Sequence, residues 1–485
     1  MTARLAGMPD SRSASDFDRK GPRVTALRPD LATLRFDGDL PARESIPAIF
    51  DELDYQFACQ AYLWALPLVS YAQWKTQHYD VFGATGSDLV RYVSYQDRLG
   101  LITANATTPY VLNFFDLSES GPLVIELPAG PTAGGVSDFW QREVGAMGEM
   151  GPDRGAGGKY LIIAPGSDAP ADLPDDYRLL QSSGMNIMFG FRTLDPDPER
   201  ADELVRGVRI YPYAKRDAPT PTRVVSPDGR TWTGDQPRGV EYWRRLHEIY
   251  QSEVVDERDR FFLAMLKQLG IQKGKPFDPD ERLIRILEQG AAAGELMAQA
   301  NTFAKRFDQG AYWPDRAWEQ AIVLDNSAQR GPGYDELLER AAWFYEAVSF
   351  SEAMKSTTPG VGQAYLGSYT DGDGAWLDGA RNYTLHVPAD MPAKLFWSAT
   401  VYDVTTRCLI DNEQQRGDRG SRDPELITNE NGSVDLYFGP TPPPEGESNW
   451  VQTIPGKHWF SYFRLYGPLE PYFDRSWKLG DIVPR

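Results

Sequence analysis

Residues 236–355 carry apolar side chains at helical spacing, and this block is flanked on both sides by short strand-like runs broken by Gly and Pro. That alternation of periods constrains the fold more than any other feature. A period of 3.6 residues and a period of 2 expose different faces and so belong to different layers. In "YWRRLHEIYQSEVVDERDRFFLAMLKQLGI" the residues Tyr242, Leu246, Ile249 and Tyr250, then Phe261, Phe262, Met265, Leu266 and Leu269, fall on helical faces. "DERLIRILEQGAAAGELMAQANTFAKRF" and "YDELLERAAWFYEAVSF" repeat the signal, the second through Leu337, Ala341, Phe344 and Val348. These aromatic stripes read as core rather than as a cofactor-binding box.

Ahead of the block, "ELDYQFACQAYLWALPLVSYAQWKTQH" predicts a helix through Phe57, Ala61, Trp64, Ala65 and Leu68, with Pro67 as its kink or end. Strands follow in "PLVIELPAG", "GKYLIIAPG" and "MNIMFGFRTL". After residue 360 they return as "NYTLHVPA", "AKLFWSATVYDV", "SVDLYFGP" and "HWFSYFRLYGP", with "ENGS" as the signal of a tight hairpin turn. The prediction is an α+β, mainly β chain: two β-sandwich or jelly-roll-like domains with an amphipathic helical insert between them. A chain of 485 residues exceeds one ordinary core, and the boundaries fall at an N-terminal arm (1–45), a helix plus first β domain (46–235), the helical insert (236–358) and a second β domain (359–485).

Charge limits the partners. With 50 Lys and Arg against 69 Asp and Glu the chain carries a formal charge of -19, which repels phosphate backbones and anionic lipid. Neither nucleic acid nor a membrane is expected as partner, and a small-molecule substrate fits better. The start lacks the apolar run of a secretory signal, so a cytoplasmic location is the default, and the polar arm suits a homo-oligomer in which it wraps a neighbouring subunit. Cys59 and Cys408 sit in apolar strings and read as small core residues.

Known catalytic motifs are missing. The histidines His78, His247, His386 and His458 are scattered, with neither H-E-x-x-H nor C-x-x-C, so no metal is assigned. Asp371, Asp373 and Asp378 crowd a Gly-rich loop without calcium-loop spacing and read as a turn. Without G-x-S-x-G, G-x-G-x-x-G or a phosphate loop, neither a common hydrolase elbow nor a nucleotide cofactor is supported, and none is assigned.

Polar and aromatic residues at strand ends remain. In "KLFWSATVYD" alternation puts Leu395, Trp397, Ala399 and Val401 on one face and Phe396, Ser398, Thr400 and Tyr402 on the other, with Asp403 leaving on the apolar parity. Asp403 then either bonds its own backbone in a "DVTT" turn, paired with Arg407, or marks a site beside Arg407 and Arg416. The run "RGDRGSRD" reads as a solvated loop. In "FSYFRLYGP" the residues Phe460, Tyr462, Arg464 and Tyr466 share one face, a candidate binding platform in which guanidinium and rings stack. His386 lies on the polar parity of its strand and is the best titratable candidate there.

Several ordered motifs are familiar. "TANATTPYVLNFFDLSESGPLVIELP", "SDFWQREVGAMG" and "GGKYLIIAPG" resemble the first half of a bacterial family defined by two domains of unknown function, the twelve-fifty-four and twelve-fourteen types. "LGIQKGKPFD", "YLGSYTDGDGAWLDGARNYTLHVPADMPAKLFWSATVYD", "ESNW" and "FRLYGP" resemble its second half, so the resemblance covers about residues 50–485. It implies two β domains around a helical insert and almost nothing about chemistry. In its motifs lie Asn105, Tyr110, Asp138, Trp140 and Arg192. Where that family usually has Asn-Ala-Asp-Thr-aliphatic-Tyr this chain reads "NATTPY", with Thr107 in the acidic position.

The functional expectation is an enzyme acting on a small organic molecule in a polar and aromatic cleft between the β domains, by hydrolysis, hydration or elimination. Asp403 or His386 would move protons, and Arg416 or Arg464 would hold an anionic group. Asn105, Tyr110, Asp138, Trp140, Arg192, Trp397, Tyr402, Asn449 and Trp450 would form the walls. The alternative is a non-catalytic module binding a small molecule or a carbohydrate on its rings.

Overall fold

A helix of 31 residues, α1 (Ile46–Thr76), is buried on almost every side from Ala58 to Trp74, because other elements enclose it. The computed structural model describes residues 33–307, 310–355 and 357–485. Helices α2 (Val240–Ser252), α3 (Arg260–Gln268), α4 (Glu281–Phe303) and α5 (Leu337–Glu346) all pack on α1. Two glycines let α4 come close: a Cβ at Gly290 would stand 2.3 Å from that of Ala58, and one at Gly294 would stand 2.6 Å from the Tyr62 ring. Pro67 does not end the helix, which runs nine residues further to Thr76. The helices of the 236–358 insert pack on a helix that lies outside it. They share one core with α1, which lies far earlier in the chain.

The rest is mainly β, giving a mixed α+β protein. In the first half a six-stranded sheet runs in the order Val224–Val225, Leu89–Tyr92, β1 (Tyr110–Asp116), β2 (Asn186–Thr193), Thr132–Asp138, Glu143–Gly148. A four-stranded sheet, Arg209–Pro212, Leu123–Leu127, Gly158–Ile163 and Tyr177–Gln181, packs on it through Phe115, Ile125, Ile162, Phe189 and their neighbours. In the second half, β3 (Gln363–Ser368), β4 (Ala393–Asp403), β5 (Asp418–Gly420) and β6 (Trp459–Pro468) join an edge strand, Glu319–Gln320, in the order edge, β3, β6, β4, β5. Their partner sheet is Trp450–Gln452, Val434–Gly439, Tyr383–Val387 and Ile482–Pro484.

Strand β6 is buried along its whole length, since it has a core on each side. Trp459, Phe463 and Leu465 enter the core between the two sheets, whereas Phe460 and Tyr462 join the core of α1 and the helices. The six-stranded sheet does the same with Val90, Leu112 and Phe114. One inner sheet of each pair thus turns its second face toward the helical core.

Three local expectations change. The Asn431–Gly432 turn forms, with Gly432 at φ +83, but it leads into the single strand Val434–Gly439 and joins no hairpin. Of the charge run, Asp418–Gly420 is a strand paired with β4, and Arg419 is 1% exposed against Asp423 rather than solvated. In the arm, residues 1–32 lie outside the described residues, while Phe36–Asp37 and Leu40–Pro41 form a short antiparallel pair.

Candidate functional site

The segment 103–108 of the first half lies on the inner face of the β3–β6–β4–β5 sheet and forms a polar seam between the two halves. Thr103 donates its N–H to Arg407 O at 2.7 Å, Tyr402 donates its hydroxyl to Ala104 O at 2.7 Å, and Asn105 Nδ2 donates to the Tyr466 hydroxyl. Asn105 shapes the segment itself: its Oδ1 accepts the N–H of Thr107 at 2.6 Å and of Thr108 at 3.3 Å, an Asx turn. Its own N–H donates to the Tyr110 hydroxyl at 2.7 Å. Buried Arg98 donates to the carbonyls of Val93, Asn105 and Ala106 and holds the loop from behind.

Two guanidinium groups meet at the seam. Arg464, 3% exposed, sits on β6 between Tyr365 of β3 and Ser398 of β4. It donates to Thr400 Oγ1 and to Thr103 O, both at 3.0 Å, and lies 5.3–5.6 Å from the ring centres of Tyr462, Tyr365 and Tyr402. Arg192, half-buried at the end of β2, stacks 4.3 Å above the Tyr110 ring and donates to Thr108 Oγ1 at 2.9 Å. Among the described residues neither forms an ion pair with a carboxylate. A guanidinium offers five N–H donors, so both retain capacity for a ligand.

Burial opposes both charges, and the groups around them are tyrosine rings in place of a carboxylate: Tyr110 at 4.3 Å from Arg192, and Tyr462, Tyr365 and Tyr402 at 5.3–5.6 Å from Arg464. Burial pushes the phenols of Tyr365, Tyr402 and Tyr466 up, which keeps them protonated and able to donate. A carboxylate also lies at the seam: Asp418 accepts from Thr107 Oγ1 at 3.2 Å. Burial raises its pKa, against the opposing pull of that hydroxyl and of Arg98 and Arg464. Arg464, Tyr402, Tyr466 and Asn105 are buried, while Arg192, Tyr110, Tyr365, Thr107, Thr108 and Asp418 are half-buried.

Of the residues singled out in the sequence, the structure brings Asn105, Tyr110, Arg192, Tyr402 and Arg464 together here. The others are placed elsewhere. Asp403 caps a turn, accepting the N–H groups of Thr405 and Thr406 at 2.7 and 3.3 Å, and it pairs with Lys457 at 2.7 Å instead of Arg407. Arg407 turns inward to Tyr345 O and Gln236. His386 is exposed on the outer sheet, 2.7 Å from Asp435, and Arg416 meets Glu425 at 3.3 Å. Asp138 is fully buried against Arg142 at 2.8 Å. Trp140 packs 5.0 Å from Trp64 in the helical core, and Trp397 stacks on Phe463 between the second pair of sheets. Asn449 bridges Ile427 to Asp435 O, and Trp450 Nε1 donates to Gly439 O.

Tyr365 and Asp418 were not singled out as site residues, and Tyr466 was named only as part of the platform face. Tyr466 shares the alternation that places Arg464, and Tyr365 is its cross-strand neighbour, but a single strand's pattern does not say which strand lies beside it. Elsewhere, a groove of about 770 Å³ opens at the first turns of α1 between Phe50, Leu53 and Arg282, and it contains none of the seam residues. No group of three His, Cys, Asp or Glu able to hold a metal occurs among the described residues. Within the same limit, no helix is long and apolar enough to cross a membrane.

Two family models match the chain. One, described as a protein of unknown function (DUF1254), covers residues 89–212, and the other, a protein of unknown function (DUF1214), covers residues 362–470. The two matches fall in the order that the motif resemblance implies. Among solved structures it is similar to the VPA0106 protein from Vibrio parahaemolyticus, at 16% identity over 89% of this chain and 100% of that one, with a TM-score of 0.52. A putative uncharacterized protein from Burkholderia cenocepacia aligns at 11% identity over 91% of this chain and 96% of its own, with a TM-score of 0.39. The first is a likeness of fold. No curated protein matches.

Proposed function

We propose that this protein binds a small carboxylate-bearing organic molecule at the Arg192–Arg464 seam. One observation carries the reading: Arg464 is a buried cation with no carboxylate partner among the described residues, ringed by phenols that are themselves donors. A buried charge is normally paired, because leaving it alone costs several kcal/mol. A planar guanidinium suits a carboxylate held by two parallel hydrogen bonds. The rings of Tyr110, Tyr365 and Tyr402 suit a flat apolar body beyond the carboxylate.

Asp418 favours a catalytic version of the same reading. Its raised pKa and its half-buried place at the seam suit a group that exchanges a proton with a bound molecule, so acid/base turnover is assigned to Asp418 rather than to Asp403 or His386. Calorimetric titration with benzoate and a series of aliphatic carboxylates tests the binding step. Wild-type protein is expected to bind, Arg464→Met to lose binding, and His386→Asn to bind unchanged. Equal binding by the Arg464→Met variant would refute the assignment. Turnover of a bound carboxylate that disappears in Asp418→Asn while binding survives marks an enzyme; binding without any turnover marks a carrier.

A further inference from the structure

A second buried cluster adjoins the seam through Tyr462. Helix α5 ends at Glu346, which is fully buried. Tyr369, just after β3, directs its hydroxyl to Glu346 Oε1 and Oε2 at 2.9 and 3.0 Å, and that hydroxyl accepts from Lys305 Nζ at 2.8 Å. Lys305, beyond the end of α4 with its side chain fully buried, stands 3.8 Å from Glu346 and 3.3 Å from Glu319 of the edge strand. One lysine thus faces two glutamates.

Tyr462 of β6 links this cluster to the seam. Its ring centre is 5.3 Å from the Arg464 guanidinium. Its hydroxyl is buried without a partner of good hydrogen-bond geometry, yet it abuts the Glu346 carboxyl and favours its ionised form. Burial pushes Glu346 up to about 7; Lys305, Tyr462 and Tyr369 oppose this and Glu319 adds to it. Tyr462 is thus the side chain that neighbours both Arg464 and Glu346.

We propose that Glu346 is the proton store of the seam: an anion bound at Arg464 draws a proton from solvent onto the Glu346 carboxylate. The inference rests on the anion-binding reading above. A bound carboxylate cancels the charge of Arg464, which shares the neighbour Tyr462 with Glu346, and charge in a low-dielectric interior is felt beyond direct contact. The proton restores the balance that the ligand upsets, so affinity rises as pH falls toward the neutral range. This linkage is reciprocal: whatever protonates Glu346 also tightens anion binding.

The full chain is titrated calorimetrically with benzoate, which does not titrate between about pH 6 and 8, in two buffers of different ionisation enthalpy. The expected result is uptake of a fraction of a proton per benzoate, peaking near pH 7. Glu346→Gln should bind benzoate with no uptake. Infrared difference spectra should gain a protonated-carboxyl band on binding in wild type but not in that variant. Tyr462→Phe keeps the ring and removes the hydroxyl that favours ionised Glu346, so it should move the peak of uptake to higher pH. Binding without uptake in wild type, uptake retained in Glu346→Gln, an unmoved profile in Tyr462→Phe, or uptake lost only in Asp418→Asn overturns the proposal. Failure of wild type to bind benzoate overturns the anion reading itself.

Discussion

Two guanidinium groups in this molecule are held in opposite ways. Arg238 meets Glu295 with three contacts of 2.8–3.1 Å, and it also donates to Thr405 O at 2.9 Å. Arg464, more deeply buried, has a hydroxyl, a carbonyl and rings around it and no carboxylate at ion-pair distance among the described residues. The first is a closed pair whose charges cancel, which welds α4 to the segment before α2. The second is an open cation, held in place by neutral partners. Burial alone therefore does not separate structural from functional arginines here; what separates them is whether the protein supplies the counter-charge itself.

Breaking the closed pair should have the largest effect. Glu295→Gln leaves Arg238 only the longer carboxylate contact, with Asp235 at 3.7 Å, and is expected to cost about 3 kcal/mol in urea unfolding, at the low end for a buried pair because that contact and some water remain. Removing the open cation should do the reverse. Arg464→Met is expected to change intrinsic stability by less than about 1 kcal/mol, since it deletes a desolvation penalty along with two hydrogen bonds. The same variant should lose the gain of about 2.7 kcal/mol that saturating carboxylate, at a hundredfold its dissociation constant, confers on wild type. A destabilisation as large as that of Glu295→Gln would mean that Arg464, too, is mainly structural.

A neutral buried group sharpens the contrast. His78 sits in a closed network, with Nδ1 donating to Asn113 Oδ1 at 2.9 Å and Nε2 accepting from the Tyr92 hydroxyl at 2.6 Å. Burial lowers its pKa from 6.5 to about 3. The unfolded chain therefore takes up the proton first as pH falls, so the stabilisation is complete above about pH 6.5 and is lost as pH drops toward 3. At about pH 5 the loss should be about 2 kcal/mol, and His78→Gln should flatten the acid limb of a plot of stability against pH. The smallest effect belongs to Asp403→Asn, which weakens a turn cap and a half-exposed pair with Lys457. A loss of about 1 kcal/mol with unchanged carboxylate binding is expected, by thermal unfolding with and without benzoate.

The contrast between these sites also marks what could be read without coordinates. The strand "FSYFRLYGP" declares by alternation that Tyr462, Arg464 and Tyr466 share a face, and the coordinates put that face against the other half of the chain. The same rule places Trp397 correctly on the apolar face of β4, yet that face lies in a sheet-to-sheet core, so its ring stacks on Phe463 and reaches no ligand. Asp403 and His386 drew attention as polar groups on strands, but each already has a partner, Lys457 and Asp435, distant in sequence. Asp418 was hidden because a charge run usually means solvent, and a strand three residues long leaves little periodicity to detect.

Local chemistry written in the chain determined the periods, the helices, the strands and the faces their residues share, since these depend on neighbours two to four positions apart. The tertiary structure decided which of those faces meet. It set α1 at the centre of helices drawn from 200 residues later, turned β6 into a wall between two cores, and brought Arg192 within the field of Arg464. Whether a buried charge is closed or open depends on contacts across hundreds of residues. Sequence spacing does not encode those contacts, because register between distant strands is chosen by packing of the whole.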